Sequence, residues 1–342
     1  MSQSTKNGKT VSILIPCYNE EENVGPMSAA IDRIFREELP QYEYELVFID
    51  NDSTDHTRPL LRGICANNPR VKAIFNAKNF GQFSSPYYGI CQTSGDCTIC
   101  LACDFQTPPE LIPELVAKWE EGYRIVCAVK TQSEEGRVIR FLRSCYYKLI
   151  KKMSNVDQIE HFTGDGLYDR SFVQVLRDLH DPTPFLRGIV AELGYRRTQV
   201  EYDQQKRRAG KTHNNWGTLY DGMMLSFTSY TKTGLRFAGM AGSVLSVISL
   251  IVALVYLILK LLFWNRFPAG MIPVLLAVCV FSSVQIFLIG LLGEHILSIN
   301  KRVMNRPLVI EEERINFTRD DRDKGRSGGE EANGAYSEAQ IK

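Results

Sequence analysis

The sequence predicts an α/β protein with a mostly parallel sheet, followed by a C-terminal hairpin of two membrane-spanning helices. From residue 11 to residue 129, short apolar runs rich in β-branched residues alternate with helical patterns. This alternation is typical of a parallel sheet whose two faces are covered by crossover helices. Further along, two apolar runs each approach or exceed the roughly 20 residues that a helix needs to cross a bilayer.

Five strands and three helices are predicted in the N-terminal part. The strands cover residues 11–15, 45–49, 71–75, 97–103 and 124–129, and the helices cover 20–38, 83–93 and 111–121. No G-x-G-x-x-G pattern follows the first strand, so a dinucleotide-binding fold of the dehydrogenase type is not supported. The net charge of +1 over 342 residues gives no electrostatic indication of nucleic-acid binding.

The composition divides the chain into six parts. They are a polar N-terminus (1–10), the α/β domain (11–215), a juxtamembrane helix (216–235), two membrane spans (236–299), a C-terminal arm (300–315) and a charged tail (316–342). No signal peptide is predicted, because the first ten residues are polar. The tail is predicted to be disordered, because it lacks the apolar residues that a packed core requires.

Basic residues predict the orientation of the hairpin. Arg236 precedes the first span, and Lys301, Arg302 and Arg306 follow the second, whereas the connecting loop contains only Arg266. By the positive-inside rule, the α/β domain and both termini are therefore expected on the cytoplasmic side of the inner membrane. Residues 137–153 are basic, aromatic and amphipathic, which favours a helix in the membrane interface over an ordinary surface helix.

Nine cysteines are present, and three of them form a C-x-x-C-x-x-C pattern at Cys97, Cys100 and Cys103. An iron–sulfur or zinc site is one interpretation of this pattern. Cysteines three positions apart in a strand point to opposite faces of the sheet, however, and no fourth ligand is evident. Buried, unreactive thiols are therefore the preferred interpretation.

Polar residues follow three of the predicted strands. The first strand ends at Pro16 and leads into an aromatic and polar turn, the second ends at Asp50, and Asp104 follows the fourth. Because the carboxyl ends of parallel strands form the binding edge of such a sheet, these residues are expected close together. Ala102 lies two residues before Asp104, on the same face of the predicted strand, where a second carboxylate would be expected. Turn and helix-cap chemistry is the alternative for the Asn, Asp and Ser residues after the strands.

Taken in order, five segments resemble the family 2 glycosyltransferases of the polyprenyl-phosphate type. The resemblance runs from about residue 10 to residue 310 and includes the two-span hairpin. The segments are VSILIPCYNEEENV, FIDNDSTDHT, NAKNFGQ, GDCTICLACDFQTPPELIPELVAKWEEGY and GLLGEHILSINKRVMNRP.

The resemblance implies a GT-A fold, a nucleotide-sugar donor, a divalent metal (Mg²⁺ or Mn²⁺) and a polyprenyl phosphate acceptor in the bilayer. By position, it places five residues in the nucleotide site: Pro16, Tyr18, Glu20, Asp50 and Asn51. Asn51, with Asp52 after it, departs from the Asp-Gly that is usual in the polyprenyl relatives, although many family 2 enzymes have Asp-Asn there.

The metal and diphosphate residues are a partial match to the family pattern. The family motif usually reads Asp-x-Asp-x-Gln, and this chain matches it at Asp104 and Gln106 but has Ala102 for the first Asp. A hard cation prefers oxygen ligands. The resemblance therefore implies a metal held by Asp104, Gln106, diphosphate oxygens and water.

The catalytic residues implied by the resemblance are Asp165 and Arg207. Asp165 is in the position of the proposed catalytic base, with a helix N-cap as the structural alternative. Arg207 is in the position of an arginine that holds a phosphate, with a solvated basic loop as its alternative. Thr212 and His213 replace the Ser and Lys of the same family segment. For the acceptor phosphate, Thr212, His213, Arg137, Arg140 and Arg143 are the candidates.

The expected function is inverting transfer of a sugar, from a UDP-sugar, to undecaprenyl phosphate at the cytoplasmic membrane face. The expected partners are the donor, the lipid acceptor, the bilayer and further copies of the chain, with no nucleic acid. Ala102 leaves open a catalytically weakened binding or assembly partner. A polysaccharide synthase would need more spans and a Gln-x-x-Arg-Trp motif, which the sequence lacks. A transporter or channel would need more membrane-spanning helices around a pathway than one hairpin supplies.

Overall fold

The computed structural model describes residues 8–131, 159, 162–205, 207–209, 271–304 and 306–318, with isolated positions between 217 and 262. The chain divides into two compact units. The first contains residues 1–140, 158–213 and 305–342, and the second contains 141–157 and 214–304.

The first unit is built on an eight-stranded sheet in the order β7-β5-β6-β4-β1-β2-β3-β8. The strands are β1 (Thr10–Cys17), β2 (Glu43–Asp50), β3 (Val71–Asn76), β4 (Cys97–Cys100), β5 (Ile125–Lys130), β6 (Phe162–Asp169), β7 (Arg197–Tyr202) and β8 (Glu311–Ile315). The helices are α1 (Val24–Glu37), α2 (Thr57–Asn67), α3 (Gly81–Gln92), α4 (Ile112–Glu120), α5 (Arg170–Leu179) and α6 (Leu186–Glu192), with a 3₁₀ turn at Pro109–Leu111.

The prediction of a mostly parallel α/β sheet is confirmed. β1 pairs in parallel with β2 and β4, β2 with β3, and β5 with β7. β6 runs antiparallel between β4 and β5, and β8 runs antiparallel along β3. Apolar side chains of the central strands are buried on both faces of the sheet. Along β1, for example, Ile13 and Ile15 belong to one core layer and Leu14 to the other.

One predicted strand is too long. β4 ends at Cys100, and the residues from Leu101 to Thr107 form an irregular turn. The prediction that Ala102 and Asp104 share a strand face is therefore wrong. Phe105 in this turn has a φ of 61°. This left-handed value is incompatible with a continuing strand.

The cysteine interpretation is confirmed for the described thiols. Cys97 and Cys103 are buried in one core layer and Cys100 in the other, so the three sulfurs do not converge. Burial raises the pKa of all three thiols well above the ordinary value. Thiols with a raised pKa are poor nucleophiles and poor metal ligands at neutral pH.

A buried ion pair connects β2 to β3 and to the loop before β4. Glu45 accepts hydrogen bonds from Ser12 Oγ at 2.5 Å and Ser94 N at 2.6 Å, and Lys72 Nζ lies 2.7 Å from its carboxylate. Burial alone would raise the pKa of Glu45, but the Lys72 ammonium and the hydrogen bonds hold it below the ordinary value.

We expect Glu45→Ala to lower the folding stability by about 3 kcal/mol, because Lys72, only 12% exposed, would lose its partner. Thermal unfolding of the full-length protein in detergent measures the effect. The matched control is Glu43→Ala, whose 3.6 Å pair with Arg70 is solvent-exposed and contributes less than about 1 kcal/mol. The lowered pKa makes the Glu45 contribution present at neutral pH and lost as the pH falls through that pKa. A difference between wild type and variant that widens on acidification would contradict this assignment.

The described part of the second unit contains one long apolar helix, α7 (Met271–Val303). Its segment Phe281–Val303 is long and apolar enough to cross a membrane, by length and composition. Several large apolar side chains there are exposed, for example Ile286, Ile289 and Ile296. This segment overlaps the predicted second span. Apart from isolated positions, the first predicted span and the juxtamembrane helix (216–235) lie outside the described residues, as does the amphipathic segment 137–153.

The chain after α7 is ordered further than predicted. Asn316 donates from Nδ2 to the carbonyl oxygens of Cys65 and Val71, both at 2.8 Å, and the Phe317 side chain is buried. The predicted start of the disordered tail at residue 316 is therefore wrong, because these two residues anchor the end of β8 to the sheet. Residues 319–342 lie outside the described residues.

Candidate active site

The carboxyl ends of β1, β2 and β4 lie side by side at one edge of the sheet, because β1 pairs in parallel with both neighbours. β2 ends at Asp50, which lies opposite Cys17 of β1. Asp104 follows β4 on the other side of β1. The common edge predicted for these residues is therefore present.

The turns after β1 and β2 are tied together by hydrogen bonds. Asn19 has a left-handed φ of 55°, which asparagine tolerates better than most residues. Its backbone N–H donates to Ser53 Oγ at 2.8 Å, and its Oδ1 accepts from Thr54 N at 2.8 Å. Pro16 and Tyr18, on the β1 side, remain partly exposed. The two turns thus form one fixed rim that leaves Pro16 and Tyr18 partly accessible at the edge of the sheet.

Asp50 is fully buried at the end of β2 and has one oxygen without a partner. Its Oδ2 accepts from Arg58 Nε at 2.6 Å and from Ser53 N at 3.2 Å. Its Oδ1 is buried and has no hydrogen-bond partner among the described residues. Because an unsatisfied buried carboxylate oxygen costs free energy, this atom is suited to accept an N–H from a ligand.

Asn51 is occupied by the loop that follows β3. Its Oδ1 accepts from Phe80 N at 2.9 Å and Asn76 Nδ2 at 3.1 Å, and its Nδ2 donates to Asn79 Oδ1 at 2.9 Å. The side chain therefore holds the loop in place. Its assignment to the nucleotide site stays a prediction.

Asp104 forms an ion pair with Arg207. Arg207 donates from Nε at 3.0 Å and from Nη2 at 2.8 Å, both to Asp104 Oδ2. The other oxygen, Oδ1, accepts from the backbone N–H of Gln106 at 3.1 Å. The alternative of a solvated basic loop for Arg207 is wrong, because its guanidinium is largely buried against this carboxylate.

Backbone hydrogen bonds fix the Arg207 loop to the turn after β4. Gln205 N donates to Gln106 O at 3.2 Å, and Arg208 N donates to Asp104 O at 3.3 Å. The strained φ of Phe105 lies between the two residues whose carbonyls accept these bonds. Strain of this kind persists only where the surroundings impose it, and it is concentrated at functional sites.

Glu20 extends the acidic side of the site. It is buried after β1, and its Oε2 accepts from Asn23 Nδ2 at 2.6 Å. Burial raises the pKa of Glu20, and the negative charge of Asp104 acts in the same direction, whereas Asn23 and Arg207 lower it. Arg207 therefore interacts electrostatically with two carboxylates, those of Glu20 and Asp104.

Asp165 lies within strand β6 and is held by a short chain of hydroxyl groups. Thr107 Oγ1 donates to Asp165 Oδ2 at 2.6 Å, and Thr163 Oγ1 donates to the same oxygen at 3.2 Å. Because Thr107 donates its single proton to Asp165, Tyr202 Oη, at 2.9 Å, donates in turn to Thr107. The helix N-cap alternative for Asp165 is wrong, since the residue that caps α5 is Asp169.

The environment of Asp165 favours its neutral form more than that of an ordinary aspartate. Burial raises the pKa of Asp165, and the nearby Asp104 adds to this, whereas Thr107, Lys130 and Thr163 lower it. Burial also raises the pKa of Tyr202 to about 12, so its hydroxyl remains a donor at neutral pH. The arrangement suits a carboxylate that exchanges or orients a proton.

Asp104 and Gln106 are the described residues that fit a divalent cation. Among the described residues, no group of three His, Cys, Asp or Glu side chains could hold a metal on its own. The donor set is one carboxylate and one amide, so most ligands would have to come from a bound diphosphate and water. Mg²⁺ is commonly bound in this way, by one or two carboxylates together with substrate phosphates. The residues therefore fit a cation that arrives with a phosphorylated ligand.

The predicted acceptor residues lie outside the described residues. They are Arg137, Arg140, Arg143, Thr212 and His213. Their assignment stays a prediction.

Three residues in the site were not predicted from the sequence: Arg58, Thr107 and Tyr202. Thr107 follows Gln106 directly, so the motif itself was a signal for it. Arg58 directly follows the segment FIDNDSTDHT, so it too was adjacent to a motif. Tyr202 had no local signal, because it reaches the site through a contact with Thr107 far along the chain.

Two curated relatives are similar to this chain over most of its length. The chain is 32% identical over 291 residues to a prophage bactoprenol glucosyl transferase homolog of Escherichia coli, covering 84% of this chain and 93% of the relative. It is 31% identical over 319 residues to the undecaprenyl-phosphate 4-deoxy-4-formamido-L-arabinose transferase of Yersinia enterocolitica, covering 90% and 94%.

Among solved structures, mannosyl-3-phosphoglycerate synthase from Rubrobacter xylanophilus is similar with a TM-score of 0.48 and 18% identity, covering 69% of this chain and 76% of that one. A family model described as glycosyl transferase family 2 matches residues 12–187, a range that contains Asp50, Asp104 and Asp165. The chain therefore belongs to glycosyltransferase family 2.

Proposed function

We propose that the protein transfers a sugar from a nucleotide-sugar donor, a UDP-sugar, to undecaprenyl phosphate at the cytoplasmic face of the inner membrane, with inversion at the anomeric carbon. The observation that carries the proposal is the row of three acidic side chains along one sheet edge: Asp50, Asp104 and Asp165. Each has different partners, so each is suited to a different part of the reaction.

Asp50 serves the nucleoside, because its buried Oδ1 lacks a hydrogen-bond partner among the described residues and would gain one by accepting an N–H from the base. Asp104 and Gln106 serve the diphosphate and would hold Mg²⁺ or Mn²⁺ there. When bound, the cation would offset the charge of the diphosphate. Arg207, next to Asp104, supplies a fixed positive charge for the same leaving group, and such electrostatic help is usually the largest contribution to catalysis of this kind.

Asp165 serves the acceptor. A phosphate monoester has a second pKa of about 6, so it is largely ionised at neutral pH and is its own nucleophile. Asp165 accepts the residual proton or positions the acceptor, while the hydroxyl of Thr107 fixes the carboxylate. Attack of one acceptor oxygen on the anomeric carbon breaks the bond to the diphosphate in a single displacement, which inverts the configuration there.

Two observations support a lipid acceptor. The relatives of similar length include proteins named for bactoprenol and undecaprenyl phosphate. The segment Phe281–Val303 has the length and composition of a membrane span. An enzyme whose acceptor stays in the bilayer needs such an anchor to meet it.

The test uses the full-length protein in detergent or nanodiscs with Mg²⁺ or Mn²⁺, a panel of nucleotide sugars and undecaprenyl phosphate. We expect nucleoside diphosphate to be released in amounts that match the glycolipid formed, and to depend on the lipid. Omission of the lipid is the control for donor hydrolysis. No turnover with any donor in either metal would contradict the proposal and favour a binding or assembly role.

A further inference from the structure

Arg58, near the start of α2, connects the buried end of β2 to the C-terminal strand. Its Nε donates to Asp50 Oδ2 at 2.6 Å, its Nη2 donates to the carbonyl oxygen of Asn76 at 2.6 Å, and its Nη1 donates to Glu312 Oε2 at 2.8 Å. Each of the three nitrogens thus has its own partner. The side chain is 16% exposed, so the guanidinium is held in one orientation.

The contact with Arg58 determines which oxygen of Asp50 is available. Oδ2 is occupied by Nε and by Ser53 N, whereas Oδ1 is buried without a partner among the described residues. A planar guanidinium that is fixed at three nitrogens does not follow a rotating carboxylate. Arg58 therefore keeps the Asp50 carboxylate in the orientation that leaves Oδ1 for a ligand.

Glu312 is brought to Arg58 by β8, although the two residues are 254 positions apart in the chain. β8 is held along β3 by its antiparallel pairing, in which Phe75 lies opposite Glu313. Arg314 adds side-chain contacts to α3, donating from Nη2 to Gln92 Oε1 at 2.6 Å. The position of Glu312 is thus set by strand pairing and not by local flexibility.

We propose that β8 completes the nucleoside end of the donor site, with Arg58 and Glu312 as positioning residues that aim Asp50 Oδ1 at the base. The inference rests on the proposed function, because the ligand is taken to be a nucleotide.

The chemistry of Oδ1 also indicates which bases fit. A carboxylate oxygen is an acceptor only, so it pairs with a ring N–H and not with a ring nitrogen that is itself an acceptor. Uracil and guanine present a ring N–H at the centre of the pairing edge, whereas adenine and cytosine present an acceptor nitrogen there and donate only from the exocyclic amino group beside it. The preference therefore requires that Oδ1 is held opposite the ring nitrogen. A fixed Oδ1 therefore favours uridine or guanosine diphosphates over the adenosine and cytidine diphosphates. A carboxylate that can rotate loses part of this preference.

The experiment measures the affinity of the full-length protein, in detergent with Mn²⁺, for UDP, GDP, ADP and CDP by calorimetry. The variants are Arg58→Lys, which keeps the positive charge but loses the planar guanidinium, and Glu312→Gln. The matched controls are Arg62→Lys and Glu313→Gln. These two residues form a 2.7 Å ion pair between the same helix and strand, and none of their hydrogen bonds involves Asp50.

We expect Arg58→Lys to weaken binding of the preferred nucleotide by about tenfold and to reduce the preference over ADP and CDP. Glu312→Gln, which removes one exposed ionic partner, is expected to weaken binding by about threefold in the same pattern. Both controls are expected to stay within about twofold of wild type, the scale of an exposed pair.

Three outcomes would overturn the inference, and they are distinguishable. If wild type binds none of the four nucleotides, the nucleotide assignment fails, and the proposed function fails with it. If wild type binds but the variants behave like the controls, the positioning role alone is wrong. Equal weakening of all four nucleotides would indicate a general structural effect, and it too would contradict the inference. Because Glu312→Gln changes an exposed side chain, it preserves the test if Arg58→Lys fails to fold.

Discussion

Asp104→Ala is expected to lower turnover by about a thousandfold, the upper end of the range for loss of one preorganised electrostatic contact. In the described turn after β4, Asp104 is the one carboxylate that could contact a cation, through oxygens that also accept from Arg207 and the Gln106 backbone, because Ala102 supplies no oxygen. The substitution also leaves the partly buried Arg207 guanidinium without this carboxylate partner. Release of nucleoside diphosphate under saturating donor and lipid measures the effect.

Two further variants make this result specific. Asp178→Ala removes an exposed carboxylate from α5, and turnover is expected to remain at the wild-type level. Ala102→Asp adds a carboxylate to the turn and is expected to lower the Mn²⁺ concentration required for half-maximal turnover. Substantial activity in Asp104→Ala would show that the metal and diphosphate are bound elsewhere. An unchanged metal titration in Ala102→Asp would show that the missing carboxylate has no role.

Asp165→Asn is expected to lower kcat by about a hundredfold to a thousandfold, within the range for loss of a positioned acid or base. The amide keeps the shape and one acceptor oxygen for Thr107, so the fold is preserved while the charge is lost. Donor affinity is expected to change little, because Asp165 serves the acceptor. Steady-state kinetics with saturating donor and lipid measure kcat, and single-turnover kinetics separate the chemical step from product release. A kcat near the wild-type value would contradict the catalytic role of Asp165 and leave this residue a structural role only.

Removal of the Thr107 hydroxyl is expected to move the acidic limb of the pH–rate profile to higher pH. Burial already raises the pKa of Asp165, and the hydrogen bond from Thr107 lowers it, so Thr107→Val raises it further. Since the ionised carboxylate is the active form, activity is lost at a higher pH as the solution is acidified.

The control for Thr107→Val is Thr131→Val. Thr131 also contacts Tyr202, through the backbone carbonyl oxygen, and its hydroxyl bonds to Asp203 and not to Asp165. Ionisation of the acceptor phosphate contributes equally to both variants, so a shift seen only in Thr107→Val reports on Asp165. An unshifted profile would show that Asp165 does not limit the rate on the acidic side.

The strands predicted correctly are those with a mostly apolar sequence. β1, β2, β3 and β5 are largely buried, so apolar residues predominate in them, although Ser12, Glu45 and Lys72 interrupt the runs. β7 and β8 escaped prediction because they are edge strands that carry polar residues, as in the segment EEERI of β8. β6 lies inside the sheet, but it begins with the polar, glycine-containing segment FTGDG. Pairing with a neighbouring strand, and not intrinsic propensity, makes such segments into strands.

The site residues, too, were predicted only where a local pattern indicated them. Asp50, Asp104 and Asp165 were found from the motifs that contain them, and the first two also from their position after a strand. The end of β4 at Cys100 was not found, because the left-handed turn at Phe105 has no glycine or asparagine to indicate it.

The chemical groups of the site, and the edge of the sheet where they gather, can be predicted from the sequence. Strand periodicity and motif order are local properties, so one chain contains enough information to place the carboxylates of Asp50 and Asp104 after parallel strands. The partner of each carboxylate is known only from the folded structure: Arg58 and through it Glu312 for Asp50, Arg207 for Asp104, and Thr107 for Asp165. Apart from Arg58, which lies 8 positions after Asp50, these partners come from segments far apart in the chain. Their contacts depend on how strands pair and turns close, and no local pattern of residues encodes that.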